Sequence, residues 1–237
     1  MAEVDYDARR VKLSKPVLCS FPNLDEPKRV SKSLKEEPKF SLGLEFAPDS
    51  EDLKAIRAKV MSQALAFASS NDGASFRAVA GNSVESIAAA IKSGAIKTCI
   101  EDGDKLAAKA EAKGKKRDWS KGLKVVTARS QNWPNCGIIA NGEIVQLDDR
   151  SQVRLHKAKF FYTGVKIVAE LDIVAYNAVG EDGKPGVTAY ITSVLSTGKG
   201  EKLAGSAPSL ADTFRGYVGL ESDEDPTGAT AGADADW

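Results

Sequence analysis

Histidine is nearly absent from this 237-residue chain: His156 stands alone. A Ser-His-Asp or Cys-His apparatus therefore has a single candidate, and it sits between Leu155 and Lys157 without a flanking signature. Cysteine is scarce too. Cys19, Cys99 and Cys136 are odd in number, widely separated and form no CxxC pair, which fits reduced thiols in a cytosol and argues against a disulfide framework or a cysteine-ligated zinc. No GxxxxGK[ST] sequence is present, against a P-loop NTPase. Near Met1 there is no long apolar run, since Glu3, Asp5 and Asp7 precede Arg9 and Arg10; the expectation is a soluble, cytoplasmic protein with no membrane partner. Neither a cofactor nor a metal is expected.

Basic residues are missing from one segment, and that absence organises the rest. Glu221 to Trp237 carries Glu221, Asp223, Glu224, Asp225, Asp234 and Asp236, no Lys or Arg, and ends on Trp237. Six of the 33 acidic residues lie there, so the remainder of the chain holds 33 basic residues against 27 acidic ones. A neutral total conceals a basic body with an acidic tail. Pro226, Gly228 and the surrounding Ala and Thr residues offer no apolar face to offset ordering entropy, so residues 221–237 read as disordered. A mobile anion tethered to a basic body is a competitor for nucleic acid. The bland alternative is an acidic solubiliser.

The body is large enough for a core, with 42% apolar residues. Residues 1–37 are charged and punctuated by Pro16, Pro22, Pro27 and Pro38, which reads as an extended, partly disordered N-terminal arm. Residues 38–220 read as one domain. The alternation Phe40, Leu42, Leu44, Phe46 predicts a strand, and Pro48 to Asp52 supplies helix-start chemistry. Leu53, Ile56, Val60, Ala64, Leu65 and Phe67 recur at helical spacing, and Ser83 to Ile91 predicts a second helix. From Leu123 the pattern turns to β: Leu123 to Arg129, Ile138 to Ala140, Ile144 to Leu147, Phe160 to Tyr176 and Val187 to Leu195, separated by Asn141-Gly142, Asp148 to Ser151 and Val179 to Gly186. The fold class read from the pattern is mainly β within α+β: a β-barrel with added helices, an extended arm and a disordered acidic tail.

Two clusters point to nucleic acid. Between Lys105 and Lys124, eight basic residues face Glu111 and Asp118, and Trp119 lies beside Lys115, Lys116 and Arg117 with Lys121 and Lys124 following. An indole among cations is the pairing expected where bases and phosphates are both engaged; a solvated charged helix is the plainer reading. In the longest strand run, Phe161, Thr163, Val165, Ile167, Ala169, Leu171, Ile173 and Ala175 form a core face. The opposite face begins with Phe160 and Tyr162, includes Lys166, and follows Lys157 and Lys159. Aromatics on a wet face are either covered by other elements or stack on bases, at roughly 1–3 kcal/mol per base. Arg129 and Trp133 join these residues as candidates for contacting a single strand.

Phe40 to Phe46 followed by Pro48-Asp49, Ile100 to Asp104, Tyr162-Thr163-Gly164 leading into Val165 to Asn177 and Gly186-Val187, Gly200 to Gly205, and an acidic tail ending in an aromatic follow one another along the chain. In that order these motifs resemble those of the phage single-stranded DNA-binding proteins of the T7 type. The resemblance implies an oligonucleotide-binding (OB) fold protein of phage DNA replication, recombination and repair that coats single strands without reading sequence. It implies that the tail, through Asp223, Glu224, Asp225, Asp234, Asp236 and Trp237, recruits a DNA polymerase and a helicase or primase, and it leaves room for a homodimer. The chain departs from the pattern in the dilution of its tail by Pro226 to Ala233 and in the basic stretch 105–124. Two other classes compete: an OB-fold protein-interaction scaffold, and a metal-dependent nuclease using Asp102 and Asp104, whose Asp-Gly-Asp setting also reads as an ordinary turn.

Overall fold

A computed structural model describes residues 7–29, 37–178 and 183–204. The predicted tail, 221–237, lies outside the described residues, as do parts of the predicted arm and of the turn 179–186. In chain order the elements are β1 (Arg10–Lys12), β2 (Val17–Lys28), β3 (Lys39–Phe46), α1 (Glu51–Ser69), α2 (Ala74–Ala80), α3 (Val84–Ser93), β4 (Lys97–Thr98), β5 (Ile100–Asp102), α4 (Gly103–Glu111), a 3-10 turn (Asp118–Ser120), β6 (Lys124–Ser130), β7 (Asn135–Ala140), β8 (Glu143–Leu147), α5 (Arg150–Phe160), β9 (Thr163–Tyr176) and β10 (Gly186–Ala204).

The alternation of apolar residues in β3 is what sets the architecture. Phe40, Leu42, Leu44 and Phe46 all point inward and are buried. In register with them, β2 contributes Cys19 opposite Leu44, and β6 contributes Ala128 opposite Leu42 and Val126 opposite Leu44. Val165, Ile167, Ala169, Leu171 and Ile173 of β9 and Val187, Ala189, Ile191 and Val194 of β10 complete the same core. Neighbouring strands run β9-β2-β3-β6-β10, and β10 pairs back onto β9 from Gly186↔Tyr176 to Ala204↔Thr163. Five strands thus close on themselves as a barrel, which leaves no free edge among them. β7 and β8 extend the sheet beyond β10 as a hairpin whose Asn141-Gly142 turn holds both residues at positive φ, 52° and 86°, the type I′ chemistry this pair favours.

Two helices roof the barrel. α1 begins at Ser50, whose Oγ accepts the Leu53 N–H at 3.3 Å, and buries Leu53, Ile56, Val60, Ala64 and Ala68 at a spacing of three to four residues. α5 begins at Asp149, which accepts the Ser151 and Gln152 N–H groups at 2.7 and 3.0 Å, and buries Val153 and Phe160.

Three expectations are corrected. Residues 10–28 are not an arm laid over a finished domain. They are extended as expected, but β1 and β2 run along one edge of β9, and a domain boundary at 37 falls between two paired strands, β2 and β3. Pro22 and Pro27 are accommodated because β2 leaves register with β3 at those points. Asp148 to Ser151 is not a hairpin turn but a helix start, because the Asp149 side chain satisfies the first free N–H groups of α5. Accordingly the strand beginning at Phe160 starts at Thr163 instead, and α2 is an additional helix that no periodicity announced.

Candidate nucleic-acid interface

Strand alternation that sends one set of side chains into the barrel sends the other set out. On β2, β3 and β6 the rows that point away from the barrel interior are Leu18, Glu45 and Val125; Ser20, Gly43 and Thr127; and Asn23, Ser41 and Arg129, of which Ser20, Gly43, Glu45 and Val125 are buried and the other five half-buried. The last row continues onto β10, where Tyr190 is paired with Arg129 and is 42% exposed. The first continues onto β9, where exposed Lys166 pairs with Leu18. Gly43 lies in the middle of this face, and a Cβ there would meet Ser20 Oγ at 2.5 Å. A side chain at that position would have to displace the Ser20 hydroxyl.

At one end of the face stands an aromatic and cationic cluster. Phe21 is 43% exposed and adopts φ = 49°, a left-handed conformation costing about 1–3 kcal/mol for a bulky residue. Its backbone N–H is held by Thr163 Oγ1 at 3.1 Å. Its ring lies 5.9 Å from Trp119, inclined by 50°, and the Arg117 guanidinium sits 5.2 Å from its centroid. The platform is tied to the barrel from beneath. Ser120 Oγ donates to Glu45 Oε1 at 2.9 Å, Arg117 Nε donates to Ser120 Oγ at 3.1 Å, and Arg117 Nη2 is 3.6 Å from Glu45 Oε1. The Glu45 side chain is fully buried. Glu45 Oε2, Ser20 Oγ and Trp119 Nε1 are buried without a hydrogen-bond partner.

Of the residues singled out in the sequence, Arg117 and Trp119 meet in this cluster, and exposed Lys115 and Lys116 lead into it. Lys166 joins it from β9, and Tyr162 borders it, immediately before Thr163. Tyr162 donates to Gly200 O at 2.8 Å, and Lys202 Nζ lies 5.4 Å from its ring centroid. Arg129 shares the outward face but lies at the Tyr190 end.

The other candidates are placed elsewhere. Phe160 is 5% exposed, belongs to the core and closes against Gly198; it is the last residue of α5 and offers no stacking face. Lys159 lies 5.3 Å from the Phe160 ring. Lys157 is bound to buried Asp25 at 2.7 Å, and neighbouring Arg154 pairs with Glu26, so these cations fasten α5 to β2. Burial alone would raise the Asp25 carboxyl, but the hydrogen bond and charge of Lys157, with backbone donors, hold it below the ordinary range. Lys121 pairs with Asp118 and Lys124 with Asp102, both at 2.5 Å. Lys124 points to the barrel side, the face it shares with Phe46. Trp133 donates its indole N–H to Leu24 O at 3.0 Å and packs on the core, which makes it a structural anchor.

Phe21 and Tyr190 were missed. Phe21 lies between Ser20 and Pro22 in a stretch read as an arm, and Tyr190 sits in a strand whose outward face had no charge to mark it. The apposition of Phe21 with Trp119 spans almost a hundred residues of sequence, so only tertiary structure brings it about.

The carboxylates suspected of metal binding are engaged in capping. Asp102 Oδ1 accepts the Asp104 and Lys105 N–H groups at 3.0 and 3.2 Å, and Asp104 accepts the Gly122 N–H at 2.9 Å. Among the described residues no group of three or more His, Cys, Asp or Glu gathers as a metal shell, and no helix is long and apolar enough to cross a membrane. The three thiols are buried, and burial pushes Cys99 and Cys136 up to about 12.

Comparison with known proteins adds an independent line. The family model of the single-stranded DNA-binding protein of Enterobacter phage Enc34 matches residues 9–226. A C-terminally truncated structure of the bacteriophage Enc34 protein is similar to this chain at 20% identity and a TM-score of 0.53, over 86% of this chain and 96% of that one. The same protein in complex with single-stranded DNA gives 20% identity and a TM-score of 0.53, over 86% and 97%. At such identity these likenesses show a shared fold. The single-stranded DNA-binding protein of bacteriophage T7 aligns at 12% identity and a TM-score of 0.48, over 87% and 96%. Curated protein sequences yield no match.

Proposed function

The chain belongs to the family of the phage Enc34 single-stranded DNA-binding protein, and on that premise we propose that it binds single-stranded DNA without sequence preference along the outward face of its barrel. The observation that carries this reading is the Phe21–Trp119–Arg117 platform, flanked by Lys115, Lys116 and Lys166. Aromatic faces accept any base, and the flanking lysines neutralise the strand's phosphates. The row Asn23, Ser41, Arg129 and Tyr190 continues the path to a second aromatic and cation. Stacking on an aromatic face does not depend on which base is stacked, so binding carried by the platform is sequence-tolerant.

The activity is thermodynamic. A protein that binds the open strand and not the duplex pulls melting equilibria toward the open form by linkage, which protects exposed strands and removes hairpins during phage DNA replication, recombination and repair in the host cytoplasm. The acidic segment 221–237 competes electrostatically with DNA and, once released, offers Asp234, Asp236 and Trp237 to a basic, apolar pocket of a polymerase, helicase or primase. A homodimer is compatible with this role. No catalytic step is assigned.

The test is fluorescence anisotropy of labelled poly-dT and of a matched duplex at low and moderate salt. Tight, salt-sensitive binding that prefers the single strand, weakened by Phe21→Ala or Trp119→Ala, is the expected result. Absence of binding to poly-dT overturns the reading.

A further inference from the structure

Arg117 looks at first like a phosphate ligand, yet its charge is already answered. Beneath it lies Glu45, a carboxylate with no solvent exposure of its own, whose Oε1 lies 3.6 Å from Arg117 Nη2 and receives the Ser120 hydroxyl at 2.9 Å. Ser120 in turn accepts from Arg117 Nε at 3.1 Å. Burying a carboxylate costs free energy unless it is paired and hydrogen-bonded, and Glu45 is paired through one oxygen only, since Oε2 has no partner. A group kept at that cost beneath an aromatic platform calls for a role that a neutral side chain would not fill.

We infer that Glu45 is a positioning and specificity-determining residue for strand binding: it neutralises Arg117 and locks the 118–120 turn, so that the platform stacks on bases and does not grip phosphates. The consequence is discrimination. A duplex offers phosphates at higher density than a single strand but no open base faces, so every unneutralised cation on this face favours duplex, whereas a neutralised guanidinium held over Phe21 favours unstacked bases. Glu45 thus holds down duplex affinity while leaving the stacking surface intact. This inference rests on the proposed binding of single strands along this face.

The experiment measures the salt dependence of anisotropy for poly-dT and for duplex with the full-length protein and Glu45→Gln, which keeps an acceptor for Ser120 but removes the charge. Freeing one cation steepens the slope of log K against log salt by about 0.7 on a single strand and about 0.9 on duplex. For poly-dT that is a further loss of about 2.5-fold between about 50 and 200 mM salt. The expected outcome is this steepening, with low-salt duplex affinity rising more than poly-dT affinity.

The double variant Glu45→Gln with Arg117→Gln is expected to return the slope to the wild-type value, and Arg117→Gln alone to weaken poly-dT binding, through loss of the guanidinium over Phe21, without lowering the slope. A slope unaltered in Glu45→Gln, or a slope that falls by one charge in Arg117→Gln, overturns the inference. If Glu45→Gln fails to fold, the Arg117→Gln slope still decides, with thermal denaturation as the check that this variant, whose side chain is only 17% exposed, is folded. Failure of the wild-type protein to bind poly-dT would instead sink the functional reading, and the two failures are distinguishable in one titration series.

Discussion

If strand binding follows the proposed path, replacing Phe21 or Trp119 by alanine removes an aromatic face from it, and each change is expected to weaken poly-dT binding by about 1–3 kcal/mol, roughly five- to 150-fold. Anisotropy titration of each variant checks this, with thermal denaturation as the control. Phe160→Ala behaves in the opposite way. Its ring fills the core beneath Gly198, so the change is expected to cost about 3–5 kcal/mol of stability while leaving the affinity of the folded protein unchanged; denaturant midpoints and anisotropy together separate the two effects.

At the scale of elements, the ion-pair clamp between α5 and β2 carries a definite pH signature. Asp25 is buried and its carboxyl is held below its ordinary 3.8. Burial opposes this, and the Lys157 hydrogen bond, the Lys157 charge and backbone donors outweigh it. A depressed carboxyl contributes stability that is fully present above the unfolded value and is lost as pH falls through the folded one. Wild-type protein is therefore expected to lose stability on acidification below about pH 4, and Asp25→Asn to be less stable at neutral pH but flatter across that range. Denaturant unfolding at about pH 3 and pH 6 is the measurement. Because Lys157 serves this clamp, Lys157→Ala is expected to move stability more than DNA affinity, the reverse of Lys166→Ala.

For the whole molecule, the relevant quantity is the separation of charge along the chain. With the six acidic residues of 221–237 set apart, basic residues exceed acidic ones by 33 to 27. Deleting Asp223 to Trp237 is expected to tighten poly-dT binding at low salt, with the difference shrinking as salt screens the tail. Anisotropy at two salt concentrations reads it, and equal or weaker affinity of the truncated protein would count against electrostatic competition. The closed barrel sets the geometry on which this charge acts, since β9 carries β1 and β2 on one edge and β10 on the other.

The sequence by itself determined the inward face of β3 and β9, the start of α1 within Pro48 to Asp52, the Asn141-Gly142 hairpin and the location of a basic, Trp-bearing stretch, because each depends on local periodicity or on capping within a few residues. Family membership was legible in the order of its motifs. Tertiary structure alone decided which aromatics are available. Phe160 and Tyr162 look alike in a strand pattern, yet the Asp149 cap turns the preceding residues into a helix that drives Phe160 into the core. Phe21 reads as part of an arm until β2 enters the barrel and sets it against Trp119. Lys157 reads as a phosphate ligand until Asp25, more than a hundred residues away, claims its charge. Such pairings form across strands brought together by closure of the barrel, a long-range event that no local pattern records.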